Sequence, residues 1–119
     1  AAEGGCLHLS IHSFEPALDP VARAFDVGVL YDPDREPAGA IARAIVGGLT
    51  DAGLDAREND PYAGTPEGLT SFLRAELPAD RYVGLEIEAQ RDRFADDPSR
   101  DQLARTLADV VERVLASAF

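Results

Sequence analysis

The sequence predicts an α/β fold built on a mixed, largely parallel sheet flanked by helices. Three observations carry that expectation. Four short stretches have strand character: Leu7 to Phe14, Phe25 to Tyr31, Leu54 to Glu58 and Tyr82 to Ala89. Segments with apolar residues at helical spacing stand between or after them, and proline, glycine, asparagine and aspartate cluster at the joins. Strands separated by helices make a layered α/β domain rather than a bundle or a sandwich.

The first strand reads LHLSIHSF. Alternate side chains share a face, so Leu7, Leu9 and Ile11 point toward the expected core while Cys6, His8, Ser10 and His12 point away from it. Glu15-Pro16 ends the run, because proline removes a ladder donor and restricts the residue before it. His12 is thereby placed near the C-terminal end of a strand, where open α/β sheets keep their sites. Ser13 to Ala24, with Pro16, Asp19 and Pro20, reads as an irregular loop. Phe25 to Tyr31 is the second strand and Asp32-Pro33-Asp34 its closing turn. Pro37 suits the first position of a helix, Ile41, Ala44, Ile45 and Leu49 form its apolar stripe, and Gly53 is its stop.

Leu54 to Glu58 is a short third strand that runs into the turn-rich Asn59-Asp60-Pro61-Tyr62-Ala63-Gly64. Thr65 is placed to cap a helix whose buried stripe is Leu69, Phe72 and Leu73, and Pro78 ends it. Tyr82 to Ala89 alternates cleanly, with Val83, Leu85 and Ile87 on one face and Glu86 and Glu88 on the other. The last helix starts either at Asp97 with Pro98 or at Ser99, which has Gln102 at capping-box spacing. Leu103, Leu107, Val110, Val111, Val114 and Leu115 make its stripe.

The 119 residues and 45% hydrophobic content are expected to form one domain over residues 1–119. No apolar run approaches the roughly 20 residues that span a bilayer, so the expectation is a soluble protein with no membrane partner. One cysteine cannot form an internal disulfide; Cys6 is expected to be a buried, inert thiol in a reducing cytoplasm. A net charge of -11 excludes a nucleic-acid partner, which would need a basic surface. All the basic residues are arginines. An anionic ligand would therefore depend on particular arginines to reverse the local field. The sequence contains no methionine, which leads to the expectation of a chain trimmed at its start or cut from something longer.

Two residues stand out for chemistry. Metal-assisted hydrolysis needs an ion held by imidazole and carboxylate, and a second carboxylate to take a proton from the attacking water. His12 and Glu88 both lie near the ends of predicted strands, and they share one rim if those strands are parallel. Each also has a plainer reading: His12 as a hydrogen-bonded structural histidine, Glu88 with Glu86 as a solvated sheet face.

Ser10-Ile11-His12-Ser13-Phe14 with Pro16 resembles the S-x-H-S-F-x-P segment of the N-formylglutamate amidohydrolase family, and more distantly the I-H-S-Y segment of zinc carboxypeptidases. Leu85-Glu86-Ile87-Glu88-Ala89-Gln90 is similar to the family's general-base segment. Phe25 to Asp32 resembles its G-V-L-Y-D strand with Arg23 close to the family's arginine, Asn59-Asp60-Pro61-Tyr62 its N-x-P-Y loop, and Gly68 to Arg74 its helix before the base strand. The similarity runs in order through residues 6 to 94.

The resemblance implies an N-terminally incomplete fold of the zinc-dependent exopeptidase (phosphorylase/hydrolase-like) kind. It also implies Zn2+ as cofactor with His12 as third ligand, Glu88 as general base with Glu86 as competitor, and Arg23, Asn59, Tyr62 and Arg74 as substrate contacts. The implied reaction is hydrolysis of N-formyl-L-glutamate to formate and glutamate, a step in histidine breakdown. The family's first two zinc ligands belong upstream of the segment that starts this chain. His8 cannot replace one, since it would lie about 13 Å from His12 along an extended strand. Two other functions follow from the same residues: a catalytically silent domain that binds a small carboxylate or a partner, and a carboxypeptidase or acylase acting on another N-acyl amino acid.

Overall fold

The computed structural model of the chain describes residues 5–16, 24–60 and 69–118. Their elements run in the order β1 (Cys6–Phe14), β2 (Val27–Leu30), α1 (Glu36–Asp51), β3 (Ala56–Glu58), α2 (Leu69–Glu76), β4 (Tyr82–Gln90) and α3 (Asp97–Ala118). One four-stranded sheet has the order β1-β4-β2-β3. β4 runs parallel to β1 and antiparallel to β2, and β2 runs parallel to β3, so the sheet is mixed as the alternating pattern of strands and helices predicts.

Residues paired across strands share a face, which divides the sheet into two unlike surfaces. One carries Val27, Val29, Val83, Leu85, Ile87 and Ala89 and is covered by α1 and α3 through Ile41, Ala42, Ile45, Leu49, Leu103, Val110 and Val114. This is the core. The other face carries the polar residues of β1 and β4, and α2 packs there through Thr70 and Arg74. α1 and α3 meet closely where Gly48 lies against Val110; a β-carbon at Gly48 would come within 2.7 Å of a Val110 methyl.

The helix ends follow from local chemistry. α1 begins at Glu36, one residue before the expected Pro37, with Arg35 in an extended conformation at its start. Gly53 has φ +94°, a left-handed conformation that glycine adopts at little cost, and the amide of Leu54 returns to the Leu49 carbonyl. α3 starts at Asp97 with Pro98, the first of the two expected starts, and the residue that caps it is Asp96. The Asp96 carboxylate accepts the Ser99 amide at 2.7 Å, with Asp97 and Pro98 as the first helical residues.

The backbone hydrogen bond from Ser99, with its hydroxyl adding to it, holds the Asp96 carboxyl below the ordinary carboxylate range. A carboxyl lowered on folding stabilises the fold fully above its unfolded pKa, and that contribution is lost as pH falls through the lower folded value. Asp96→Ala is therefore expected to lower the urea midpoint at neutral pH and to match the parent once both are strongly acidified. Chemical denaturation at the two pH values reads this directly. An equal difference at both would remove the capping role.

Several expected burials do not hold. Ile11 is 57% exposed, because β1 is an edge strand and α3 does not extend over it. Cys6 is exposed rather than buried, since it is the first residue of that same edge. Phe72 is 62% exposed and Arg74 takes the sheet-facing position, because the surface beneath α2 is polar. Ala44 is exposed while Ala38 and Ala42 are buried on α1, and Leu115 is exposed near the end of α3. Among the described residues, no helix is long and apolar enough to cross a membrane.

Candidate active site

The polar face of the sheet is organised in rows. His12, Glu88, Gly28 and Arg57 are successive partners across β1, β4, β2 and β3. The imidazole and carboxylate expected on one rim thus sit on neighbouring parallel strands in direct register, with backbones roughly 5 Å apart. The pairing is possible because β4, last of the strands in sequence, inserts between β1 and β2.

Glu88 is only 5% exposed, so the reading of it as part of a solvated face does not apply. The neighbouring row position, Gly28, is also covered. A β-carbon at Gly28 would stand 1.7 Å from the Asp60 carbonyl oxygen, so the loop after β3 crosses the sheet directly above this glycine. Asn59 makes that crossing. It adopts φ +50°, its amide donates to the Val29 carbonyl, and its side-chain oxygen accepts the Tyr31 amide at 2.9 Å. Asparagine tolerates the left-handed region better than most residues because its short amide bonds locally. Phe14 and Phe25 stack beneath the rim at 4.9 Å between centroids, with the Arg57 guanidinium 4.9 Å above the Phe25 ring.

His12 is exposed, and its Nε2 lies 2.9 Å from the Ser10 hydroxyl on the same strand face. One row behind, Thr70 of α2 donates to Glu86 Oε1 at 3.0 Å, so the competing carboxylate is engaged in docking a helix. Arg74 is 7% exposed and donates to the Gly84 carbonyl and the Ser71 hydroxyl, tying α2 to β4. A further row behind, His8 Nδ1 is 2.7 Å from the Tyr82 hydroxyl. The Tyr82 ring fits there because Gly84 has no side chain; a β-carbon would meet the phenol oxygen at 2.6 Å. Burial pushes the Tyr82 phenol up from its ordinary value, with Arg74 and Arg35 acting in the opposite sense.

Of the expected substrate contacts, Asn59 and Arg74 border the site through their bonds to the protein's own backbone. Arg23 and Tyr62 lie outside the described residues, as does the Thr65 cap. On the core side of β1 a cavity of about 810 Å³ runs against α3, lined by Leu9, Ile11, Phe94, Leu103, Leu107 and Val111, and it reaches His12 and Ser13 at the rim.

The donor set bears on the expected zinc. Among the described residues no three His, Cys, Asp or Glu side chains come together to hold a metal ion. His12 does fit one ligand position, because its second ring nitrogen is hydrogen-bonded as metal-ligating histidines commonly are. Among the described residues His12 is thus the one expected ligand, and they do not make a coordination sphere.

Three contacts of the site are not foreseen from the sequence: Ser10 with His12, Thr70 with Glu86, and Gly28 under the loop. Only Gly28 carried a usable signal. An isolated glycine inside a strand marks a bulge or the close approach of another backbone.

These features define a class: an α/β fold with an exposed imidazole and a buried carboxylate in register on one sheet face. No protein-family model matches the chain, and no curated protein matches it. Two of the solved structures similar to it are a gene product and an amidohydrolase. Gene product Atu2144 from Agrobacterium tumefaciens has a TM-score of 0.75 at 29% identity, over 95% of this chain and 43% of its own. An N-formylglutamate amidohydrolase from Ralstonia eutropha JMP134 has a TM-score of 0.60 at 22% identity, over 98% of this chain and 44% of its own. The chain therefore spans less than half the length of either neighbour, and the likeness to the amidohydrolase is one of fold.

Proposed function

We propose that this chain carries the general base and one metal-facing imidazole of a zinc-dependent amidohydrolase that acts on N-formyl-L-glutamate. The observation that carries the reading is the register of His12 with Glu88 on adjacent parallel strands, with Glu88 buried beside the Asp60 crossing. The fold likeness to a named amidohydrolase adds to it.

In this reading Glu88 accepts a proton from a water molecule as its oxygen bonds to the formamide carbon, then returns that proton to the departing amine nitrogen. The C–N bond breaks, and formate and glutamate are released. A zinc ion, when bound with His12 among its ligands, supplies Lewis-acid stabilisation of the oxygen that gains charge. The Asp60 carbonyl and the Phe14–Phe25 stack limit water on the base's side of the site. In this reading Arg23 and Tyr62, which lie outside the described residues, contact the substrate's carboxylates together with Asn59 and Arg74.

The test is release of formate from N-formyl-L-glutamate by the full-length protein containing this chain, with and without a chelator, beside N-acetyl-L-glutamate and a C-terminal dipeptide. Chelator-sensitive turnover of the formyl substrate is expected. Turnover of the dipeptide or acetyl compound alone would move the reading to a carboxypeptidase or acylase. A second reading is that the 119-residue chain by itself binds a small carboxylate without converting it. Equilibrium dialysis of the chain against glutamate and zinc, showing saturable glutamate without metal, would support that one.

A further inference from the structure

We propose that Ser10 is a positioning residue that sets the tautomer of His12: its hydroxyl oxygen accepts a hydrogen bond from Nε2–H, leaving Nδ1 as the ring nitrogen that presents an electron pair. The inference rests on the reading of His12 as a metal ligand and deepens it.

A neutral imidazole has one N–H and one lone pair, and the partner of one nitrogen decides what the other offers. Ser10 and His12 are two residues apart on β1, on the same sheet face, with Oγ and Nε2 2.9 Å apart. The hydroxyl can rotate to donate or accept. Donation would put the ring proton on Nδ1 and leave no lone pair directed away from Ser10. Acceptance leaves Nδ1 basic.

His8 provides the contrast within the same strand. It is engaged through the opposite nitrogen, Nδ1, by the Tyr82 hydroxyl at 2.7 Å. Two histidines on one face of one strand are thus held through opposite ring nitrogens. Only His12 keeps Nδ1 clear of its strand partner, and only His12 stands in register with Glu88.

The experiment is long-range nitrogen–carbon NMR of the imidazoles in the 15N-labelled chain at a pH where both are neutral, on the parent, Ser10→Ala and Ser10→Thr. The parent is expected to show His12 as the Nε2–H tautomer. Ser10→Ala should shift it toward a mixture, and Ser10→Thr, which keeps the hydroxyl on a strand-compatible residue, should restore it. His8 should be unchanged in all three and reports that the strand is intact.

An Nδ1–H tautomer in the parent, or an Ala variant with an unaltered tautomer, overturns the proposal. An Nε2–H tautomer lost in Ser10→Ala and restored in Ser10→Thr upholds the role of Ser10 whether or not the hydrolase reading stands, which formate release tests separately.

Discussion

Replacing Glu88 by glutamine is expected to lower turnover of N-formyl-L-glutamate by about 100- to 10,000-fold, the range that removal of a general acid–base residue produces. Glutamine has the size and shape of glutamate and can still hydrogen-bond, so packing beneath the Asp60 crossing is preserved. What it lacks is a lone pair basic enough to hold the proton of an attacking water. In the proposed reading zinc binding would persist, since the substitution leaves His12 untouched. Glu86→Gln is the internal control. Thr70 donates to a Glu86 oxygen, and an amide oxygen accepts that bond equally well, so α2 stays docked and turnover is expected within a few-fold of the parent. Retained activity in the Glu88 variant, or loss confined to the Glu86 variant, would reassign the base.

The second large effect is on stability. Gly28→Ala is expected to destabilise the fold by about 3 kcal/mol, the upper part of the range for overpacking a close-packed position. The new methyl would lie 1.7 Å from the Asp60 carbonyl oxygen and 2.9 Å from its carbon, and both obstacles are backbone. β2 cannot shift to relieve them, because Gly28 is paired with Glu88 on one side and Arg57 on the other. The crossing must lift, which breaks the Asn59 clamp and opens the site beside Glu88. Gly47 supplies a contrast of opposite sign. Its added β-carbon meets nothing within 4 Å on an exposed side of α1, so Gly47→Ala is expected to stabilise by about 0.5 kcal/mol through helix propensity. Urea unfolding with unchanged slope would measure both. A neutral Gly28→Ala would mean that the loop does not cross there.

Much of the fold was legible because its signals are local. The alternation in β4, the stripe of α3, the punctuation of α1 by Pro37 and Gly53, and the polarity of the β1 face that bears His12 each depend on side chains within a few residues of one another. The resemblance in residues 6 to 94 brought His12 and Glu88 forward as a pair. Where local reasoning failed, the neighbours that mattered were distant in sequence. Phe72 was expected inside, yet the polar surface of β4 beneath α2 leaves it exposed and seats Arg74 against the sheet instead. Cys6 and Ile11 were expected to be buried until the strand order made β1 an edge.

The amino-acid sequence by itself determined that this is an acidic α/β chain with a histidine and a glutamate near strand ends, because hydropathy period and turn chemistry are written residue by residue. Only the tertiary structure decided that β4 stands between β1 and β2, that Glu88 is buried while His12 is exposed, and that a backbone carbonyl lies over Gly28. Those outcomes depend on pairing between strands 76 positions apart along the chain, where a strand's faces specify what it can bury but not which neighbour covers it.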